Sequence, residues 1–190
     1  MEQIGAPGAT SASVATAAAA PVRREDAFGA FVEAHLAEQY RLATVILGDA
    51  TEAQDATHDA FEQAWRHWPD LRDPTRLEAW FGRILVNTCR DHLRRRKRHP
   101  VTELTDATAA ALPGADELRR PADRDEIGRA FAVLNPDQRL VVVLRFYADL
   151  TVDQIAERVD APAGTVKSRL HHALAALNTA LAGTDGGADR

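Results

Sequence analysis

The 190-residue sequence is poor in cysteine and lacks the motifs of common enzyme sites. Cys89 is the only cysteine, which excludes an intramolecular disulfide and disfavours a cysteine-built zinc site. The histidines and carboxylates show no convincing metal-ligand spacing, so we expect no metal and no other cofactor. There is no glycine-rich phosphate loop, nucleophile elbow or HExxH motif. We therefore expect a protein that is not an enzyme.

Long apolar runs are also missing. No stretch approaches 18 apolar residues, so no membrane span is expected. Residues 1–24 are dominated by small and polar residues, and they lack both the basic start and the strongly apolar run of a signal peptide. Without a large apolar cluster to offset the entropy of ordering, they are predicted to be a disordered tail. We expect a cytoplasmic protein.

The charge of the chain is distributed unevenly. The net charge of −5 and pI near 5.8 would argue against nucleic-acid binding if the charge were spread evenly. However, residues 83–98 carry seven Lys or Arg and one acid, a local charge of +6, whereas residues 25–63 carry nine acids and one Arg, a local charge of −8. Adjacent segments of opposite sign indicate two partners, one acidic and one basic.

Helical periodicity organises the first half of the chain. It predicts a helix over residues 26–47 that ends at Gly48, and a second helix that begins with a capping box at Thr51 and Gln54 and ends near Trp68. Phe61, Trp65 and Trp68 mark the buried face of that second helix.

The basic segment follows as a third helix over residues 77–98. Asp73 and Pro74 give it a start signal. It has an apolar seam and a separate polar face, the latter formed by Arg83, Asn87, Arg90 and Arg94. The seam packs and the polar face is free to bind DNA.

Residues 99–122 lose periodicity and contain several prolines, which indicates a flexible linker. A second helical unit is predicted over residues 123–182, before a disordered tail over residues 183–190. It includes a capping box at Thr151 and Gln154 and a final helix opened by Pro162, which together make a helix-turn-helix whose turn lacks glycine. The fold class is thus all-α, with two small helical domains joined by a flexible linker.

The final helix has the features of a DNA-reading helix. No acid occurs between Ala161 and Ala182, so the helix approaches phosphates without repulsion. When such a helix lies in the major groove, its N-terminal residues reach the base edges. The candidate DNA contacts on this helix are Thr165, Lys167, Ser168, Arg169, His171 and His172.

These elements, in this order, resemble the sigma factors of bacterial RNA polymerase, and in particular the small extracytoplasmic-function class. The resemblance covers about residues 25–182. It is carried by residues 53–55 and 59–61 of the acidic helix, by Trp80, Arg83, Ile84, Asn87, Asp91 and residues 93–96 of the basic helix, and by residues 150–151, 155–156 and 164–170 of the helix-turn-helix.

The resemblance implies that residues 25–98 are sigma region 2 and residues 123–182 are sigma region 4, whose final helix reads the minus-thirty-five promoter element through the candidate DNA contacts given above. It implies binding to the core polymerase, at the clamp of the largest subunit and the flap of the second-largest subunit, and restraint by an anti-sigma factor. The implied polymerase contacts on the second helix are Asp55, His58, Asp59, Phe61 and Glu62. His58 stands where the family usually carries Gln.

The resemblance also assigns the basic helix to the minus-ten promoter element, and the loop over residues 68–76 to an extruded base of the non-template strand. The implied contacts are Trp80, Arg83, Asn87, Arg90, Arg94, Arg95, Arg96, Lys97 and Arg98. Gly82, Val86 and Cys89 differ from the family's commoner residues on this helix. The implied function is promoter recognition, DNA melting and transcription initiation.

A second hypothesis is a self-sufficient helix-turn-helix regulator that binds a duplex operator, as a dimer. Such a regulator needs neither the acidic helix nor the basic strand-holding helix, so this reading would leave residues 25–98 unexplained.

Overall fold

The computed structural model describes residues 23–98 and 121–185, and the side chains of residues 23–98 and 127–182. The regular structure in these ranges is entirely helical, as the sequence predicts. The α-helices are α1 (Arg24–Leu47), α2 (Ala50–His67), α3 (Leu77–Arg98), α4 (Pro121–Ala132), α5 (Pro136–Phe146), α6 (Val152–Val159) and α7 (Ala163–Asp185). Two 3₁₀ turns, Trp68–Asp70 and Pro74–Arg76, connect α2 to α3.

Helices α1, α2 and α3 pack against one another around an aromatic core. Phe61 lies between the rings of Phe31 and Phe81, with ring centroids 6.0 and 4.5 Å away. Trp65 and Trp68 each approach Phe28 at 5.1 Å, which confirms their predicted packing role. Because aromatic pairs add to the free energy of apolar burial, this cluster holds the N-terminal unit together.

The start of α2 differs from the sequence prediction. Gly48 takes the left-handed conformation (φ 70°) that ends α1, as expected. The N-cap of α2 is then Asp49, whose carboxylate accepts a hydrogen bond from the backbone N–H of Glu52 at 2.8 Å. Thr51 therefore lies inside the helix, and its predicted capping box with Gln54 is wrong. Asp49, two residues earlier, accepts from the free backbone N–H of Glu52, and its negative charge is stabilised by the positive end of the helix dipole.

Helices α4 to α7 form the second unit, and the capping box predicted at the start of α6 is present. The Thr151 and Gln154 box is present, with hydrogen bonds of 2.8 and 3.3 Å, and Asn135 and Gln138 form a second box at the start of α5. Asp160 occupies the left-handed position between α6 and α7 (φ 52°). A short polar side chain tolerates this conformation, which explains how the helix-turn-helix forms without glycine.

The two units also pack on each other. Helix α3 contacts α5 and α6, α1 contacts α5, and buried residues of both units belong to one apolar cluster. Arg139 of α5 lies buried at this junction, where its guanidinium donates to the carbonyl of Val45 at 3.4 Å and lies 5.5 Å from the ring of Phe131. Burial, together with the charge of Arg96, lowers the pKa of Arg139 to about 10, although Glu52 opposes the shift.

Helix α4 begins at Pro121 and α7 continues to Asp185, so both extend slightly beyond the predicted second unit. The predictions for residues 1–22, 99–120 and 186–190 lie outside the described residues. Among the helices that the structure describes, none is long and apolar enough to cross a membrane.

Candidate DNA and polymerase interfaces

The polar face of α3 is turned toward the second unit. Arg83 forms an ion pair with Asp160, 2.7 Å from guanidinium nitrogen to carboxylate oxygen. The side chain of Asn87 accepts a hydrogen bond from Arg90 at 3.1 Å. Arg83, which is predicted to contact the minus-ten element, is thus paired with the second unit, whereas the hydrogen bond of Asn87 lies within α3.

Asp137, in the first turn of α5, is surrounded by three arginines. Its carboxylate lies 3.2 Å from Arg90, 3.6 Å from Arg94 and 3.6 Å from Arg169. Arg90 and Arg94 come from α3, whereas Arg169 comes from α7. One acid therefore joins the two predicted DNA-binding helices.

Arg90 is the most enclosed of these arginines. It also donates to the backbone carbonyl of Val159 at 3.0 Å. Burial lowers the pKa of Arg90, and the nearby charge of Asp137 acts in the opposite direction. Its contacts fix α3 against both α5 and the end of α6.

The arginine run at the end of α3 divides into two kinds of residue. Arg96 donates to the last carbonyl of α1, that of Leu47, at 3.1 Å, and it lies 3.5 Å from the carboxylate of Glu52. Arg95, Lys97 and Arg98 are exposed. Arg96 thus stabilises the N-terminal unit, while the other three are available to bind anions.

The loop between α2 and α3 is held by local contacts and by the second unit. The carboxylate of Asp73 accepts from the backbone N–H and the hydroxyl of Thr75, at 3.0 and 2.6 Å. These bonds lower the pKa of Asp73. Arg76 pairs with Glu157 of α6. Trp80 is half-buried and meets Trp68 edge to face, with centroids 6.3 Å apart.

The predicted DNA-reading residues of α7 differ in accessibility. Lys167, Ser168, His171 and His172 are exposed, and Thr165 is half-buried. Arg169 is partly covered and paired with Asp137. The rings of His171 and His172 lie 5.7 Å apart.

The acidic face of α2 is open to solvent. Asp55, His58 and Glu62 are exposed, and Asp59 lies 3.7 Å from His92 of α3. Phe61 is the exception, since it is only 8% exposed and belongs to the aromatic core. Little of the Phe61 side chain is therefore accessible, and its role as a polymerase contact stays a prediction. Phe61 shares the buried face of α2 with its alanines.

Sequence reasoning missed the acids that cover the arginines. Asp137 stands where a first-turn acid stabilises any helix, so its sequence context suggests only a local role. Gly82 is a clearer sequence signal of the packing between the two units, because it differs from the family's commoner residues at this position. A Cβ at this position would lie 2.8 Å from the guanidinium carbon of Arg158, which means that Gly82 makes room for α6.

Cys89 is buried, and burial raises the pKa of its thiol to about 12. Cys89 is therefore a buried apolar residue of α3. Over the described side chains, no cluster of three or more histidine, cysteine or acidic residues could hold a metal ion.

Sequence comparison assigns both units to one family. The family described as Sigma-70 region 2 matches residues 31–99, and the family described as Sigma-70, region 4 matches residues 130–178. The RNA polymerase sigma-E factor of Streptomyces coelicolor is 32% identical over 145 residues, which cover 76% of this chain and 80% of that protein. The chain belongs to the extracytoplasmic-function class of sigma-70 factors.

Another relative of this sigma factor is the ECF RNA polymerase sigma factor SigL of Mycobacterium tuberculosis, 32% identical over 80% of this chain and 87% of that protein. The fold of this chain is similar to that of the sigma factor RpoE from Bartonella quintana, which was solved in complex with the anti-sigma factor NepR. The TM-score is 0.64, with 22% identity, and the match covers 86% of this chain and 99% of the RpoE chain. The structure of CnrH in complex with the cytosolic domain of CnrY gives a TM-score of 0.59 and 23% identity. This match covers 84% of this chain and 90% of the CnrH chain.

Membership of this family establishes the general function and does not favour a self-sufficient regulator. The protein is a sigma factor that binds RNA polymerase and directs transcription initiation at promoters.

Proposed function

We propose that the three charged surfaces of this sigma factor have separate roles. The acidic face of α2 binds the clamp of the polymerase, α3 with the preceding loop binds the minus-ten element, and α7 reads the minus-thirty-five element in duplex form. The observation that carries this proposal is the arrangement of surfaces: Asp55 and Glu62 on α2, Arg95 and Lys97 on α3, and Lys167 on α7 are all exposed.

DNA melting follows from binding alone under this proposal. Flipping a base out of the duplex costs a few kcal/mol, while stacking and pocket hydrogen bonds return about 1–3 kcal/mol per base. Trp80 and the loop over residues 68–76 supply the single-strand site, and the exposed cations at the end of α3 hold phosphates. Arg83 and Asn87 then contact the DNA near the edge of the melted region. The protein acts by binding rather than by catalysis.

The arrangement of the two units then has a consequence for activity. Arg83, Arg90 and Arg94 are paired with acids of the second unit, so they are occupied before DNA arrives. We infer that promoter binding requires α3 to separate from α5 and α6. Binding to the clamp and the flap of the core polymerase supplies the energy for this opening.

An anti-sigma factor is the proposed regulator, and the cytoplasm is the proposed location. Two structurally similar proteins were solved in complex with a partner, and the partner of one, RpoE, is named as an anti-sigma factor. A partner that held the two units together would keep the minus-ten arginines paired with Asp137 and Asp160.

The separation of roles is tested with matched variants in two assays. Lys167→Ala removes a cation from α7 and should weaken binding of the holoenzyme to promoter DNA about tenfold, the worth of one good base contact. It should leave binding to the core polymerase unchanged in a pull-down. Asp55→Ala combined with Asp59→Ala should weaken core binding instead.

Glu33→Ala is the control, because Glu33 is an exposed acid of α1 outside the proposed polymerase face. It should affect neither assay. If Lys167→Ala and the α2 double variant reduced core binding to the same extent, the proposed separation of roles would be wrong.

A further inference from the structure

A recess of about 580 Å³ lies between the end of α3, the first turn of α5 and the second and third turns of α7. Arg94, Lys97 and Arg98 line it from α3, and Arg169 and His172 line it from α7. Asp137 lies between these two walls. The recess depends on contact between the two units, since each contributes one wall.

The recess carries an excess of positive charge. With His172 neutral, four cations face one carboxylate, which leaves a net charge of +3. Asp137 is already shared among Arg90, Arg94 and Arg169. Within the described residues Lys97 and Arg98 form no ion pair, and the Nε of Arg98 donates only to the backbone carbonyl of Arg94 at 3.3 Å. Cations gathered in this way repel one another unless an anion lies between them.

We propose that this recess binds a small oligophosphate. Guanidinium groups donate paired hydrogen bonds to phosphate oxygens, and the Lys97 ammonium adds a compact point charge. Several connected phosphates match the +3 charge and reach both walls, whereas a single phosphate reaches only part of the site. Recesses of a few hundred Å³ accommodate small molecules.

Such a ligand favours the closed arrangement, because it contacts α3 and α7 together only when the units are packed. By linkage, a ligand that binds one conformation better shifts the population toward it. Its effect on promoter binding rests on the proposed role of α3, but binding of the oligophosphate itself requires neither polymerase nor DNA.

The probe is inorganic tripolyphosphate, titrated calorimetrically into the full chain at 0.15 M salt. We expect saturable binding at one site, at least tenfold tighter than that of inorganic monophosphate. Lys97→Gln should weaken binding about tenfold, the usual worth of a charge-assisted hydrogen bond. His172→Glu, which places an acid on the opposite wall, should weaken it by a similar factor.

Each variant has a neighbour as its control. Arg95→Gln removes a cation from the same run outside the recess, and His171→Glu adds an acid one residue away on α7. Both should weaken tripolyphosphate binding less than the recess variants do, because neither Arg95 nor His171 lines the recess.

Three results would overturn the proposal. Equal losses for Lys97→Gln and Arg95→Gln would show general attraction to the arginine run. A loss on α3 without a loss for His172→Glu would exclude a site with two walls. Absence of saturable binding would exclude the site altogether. Since none of these assays contains polymerase or promoter, they leave the sigma-factor function untouched, and failure of that function in transcription would leave this site untouched.

Discussion

Asp137 links the two predicted DNA-binding helices of this sigma factor, α3 and α7, through a single carboxylate. Its side chain is 27% exposed, so each of its ion pairs is partly screened by solvent. Exposed ion pairs contribute about 0.2–1 kcal/mol each, but here one acid makes three of them. Asp137 should therefore affect the contact between the units more strongly than an ordinary surface acid does.

We predict that Asp137→Asn shifts the protein toward an open arrangement. The neutral amide cannot hold three arginines, so the open fraction should rise several-fold, as expected for a loss of about 1 kcal/mol. Dyes attached through Glu33→Cys on α1 and Asn178→Cys on α7 would report the distance between the units by energy transfer. Cys89 does not compete for labelling, because it is buried and the pKa of its thiol is about 12.

Asp153→Asn is a close control for this experiment. Asp153 occupies the same second helical position in α6 that Asp137 occupies in α5, after a similar capping box, but it is exposed and makes no ion pair among the described residues. It should leave energy transfer unchanged. An equal response of both variants would mean that a general first-turn effect, and not the contact with α3, controls the arrangement.

At the scale of the helix, the termini decide where each element begins. Asp49→Ala should destabilise the protein by about 1 kcal/mol, because it leaves backbone N–H groups of α2 without their cap. Thr151→Ala should have a similar effect at α6. Urea denaturation followed by circular dichroism would measure both.

Thr51→Ala tests the corrected start of α2. Thr51 is exposed inside the helix, where alanine is the better helix former, so stability should stay the same or rise slightly. A loss as large as that of Asp49→Ala would restore the Thr51 capping box and contradict the observed cap.

Most helices of this sigma factor could be predicted because their signals are local. Gly48, Asn135, Thr151 and Pro162 act within a turn of their own helix, and the apolar period marks each buried face. The start of α2 was mispredicted because two residues competed for the same role and Asp49 formed the bond. Phe61 was assigned to both the core and the polymerase face, and the structure shows it in the core.

The packing of one unit on the other could not be predicted in this way. It depends on complementarity between residues far apart in the sequence, such as Gly82 with Arg158 and Arg83 with Asp160. No periodicity or capping pattern encodes those pairs. The sequence therefore predicts candidate DNA-binding surfaces, while the structure shows that acids of the second unit cover part of one of them.

At the scale of the whole molecule, the two units are packed together, and we propose that they separate on the polymerase before the promoter binds. The acidic and basic surfaces found in the sequence lie on different helices, as simultaneous contact with polymerase and DNA requires. Steep salt dependence of promoter binding should follow, because several phosphates are neutralised.

Run-off transcription tests the central claim most directly. Purified core polymerase is incubated with genomic promoter fragments, with and without this protein, and with a known sigma factor as control for the core. We predict promoter-specific transcripts of defined length only when this protein or the control is present. Absence of specific initiation with this protein, while the control remains active, would contradict the assignment.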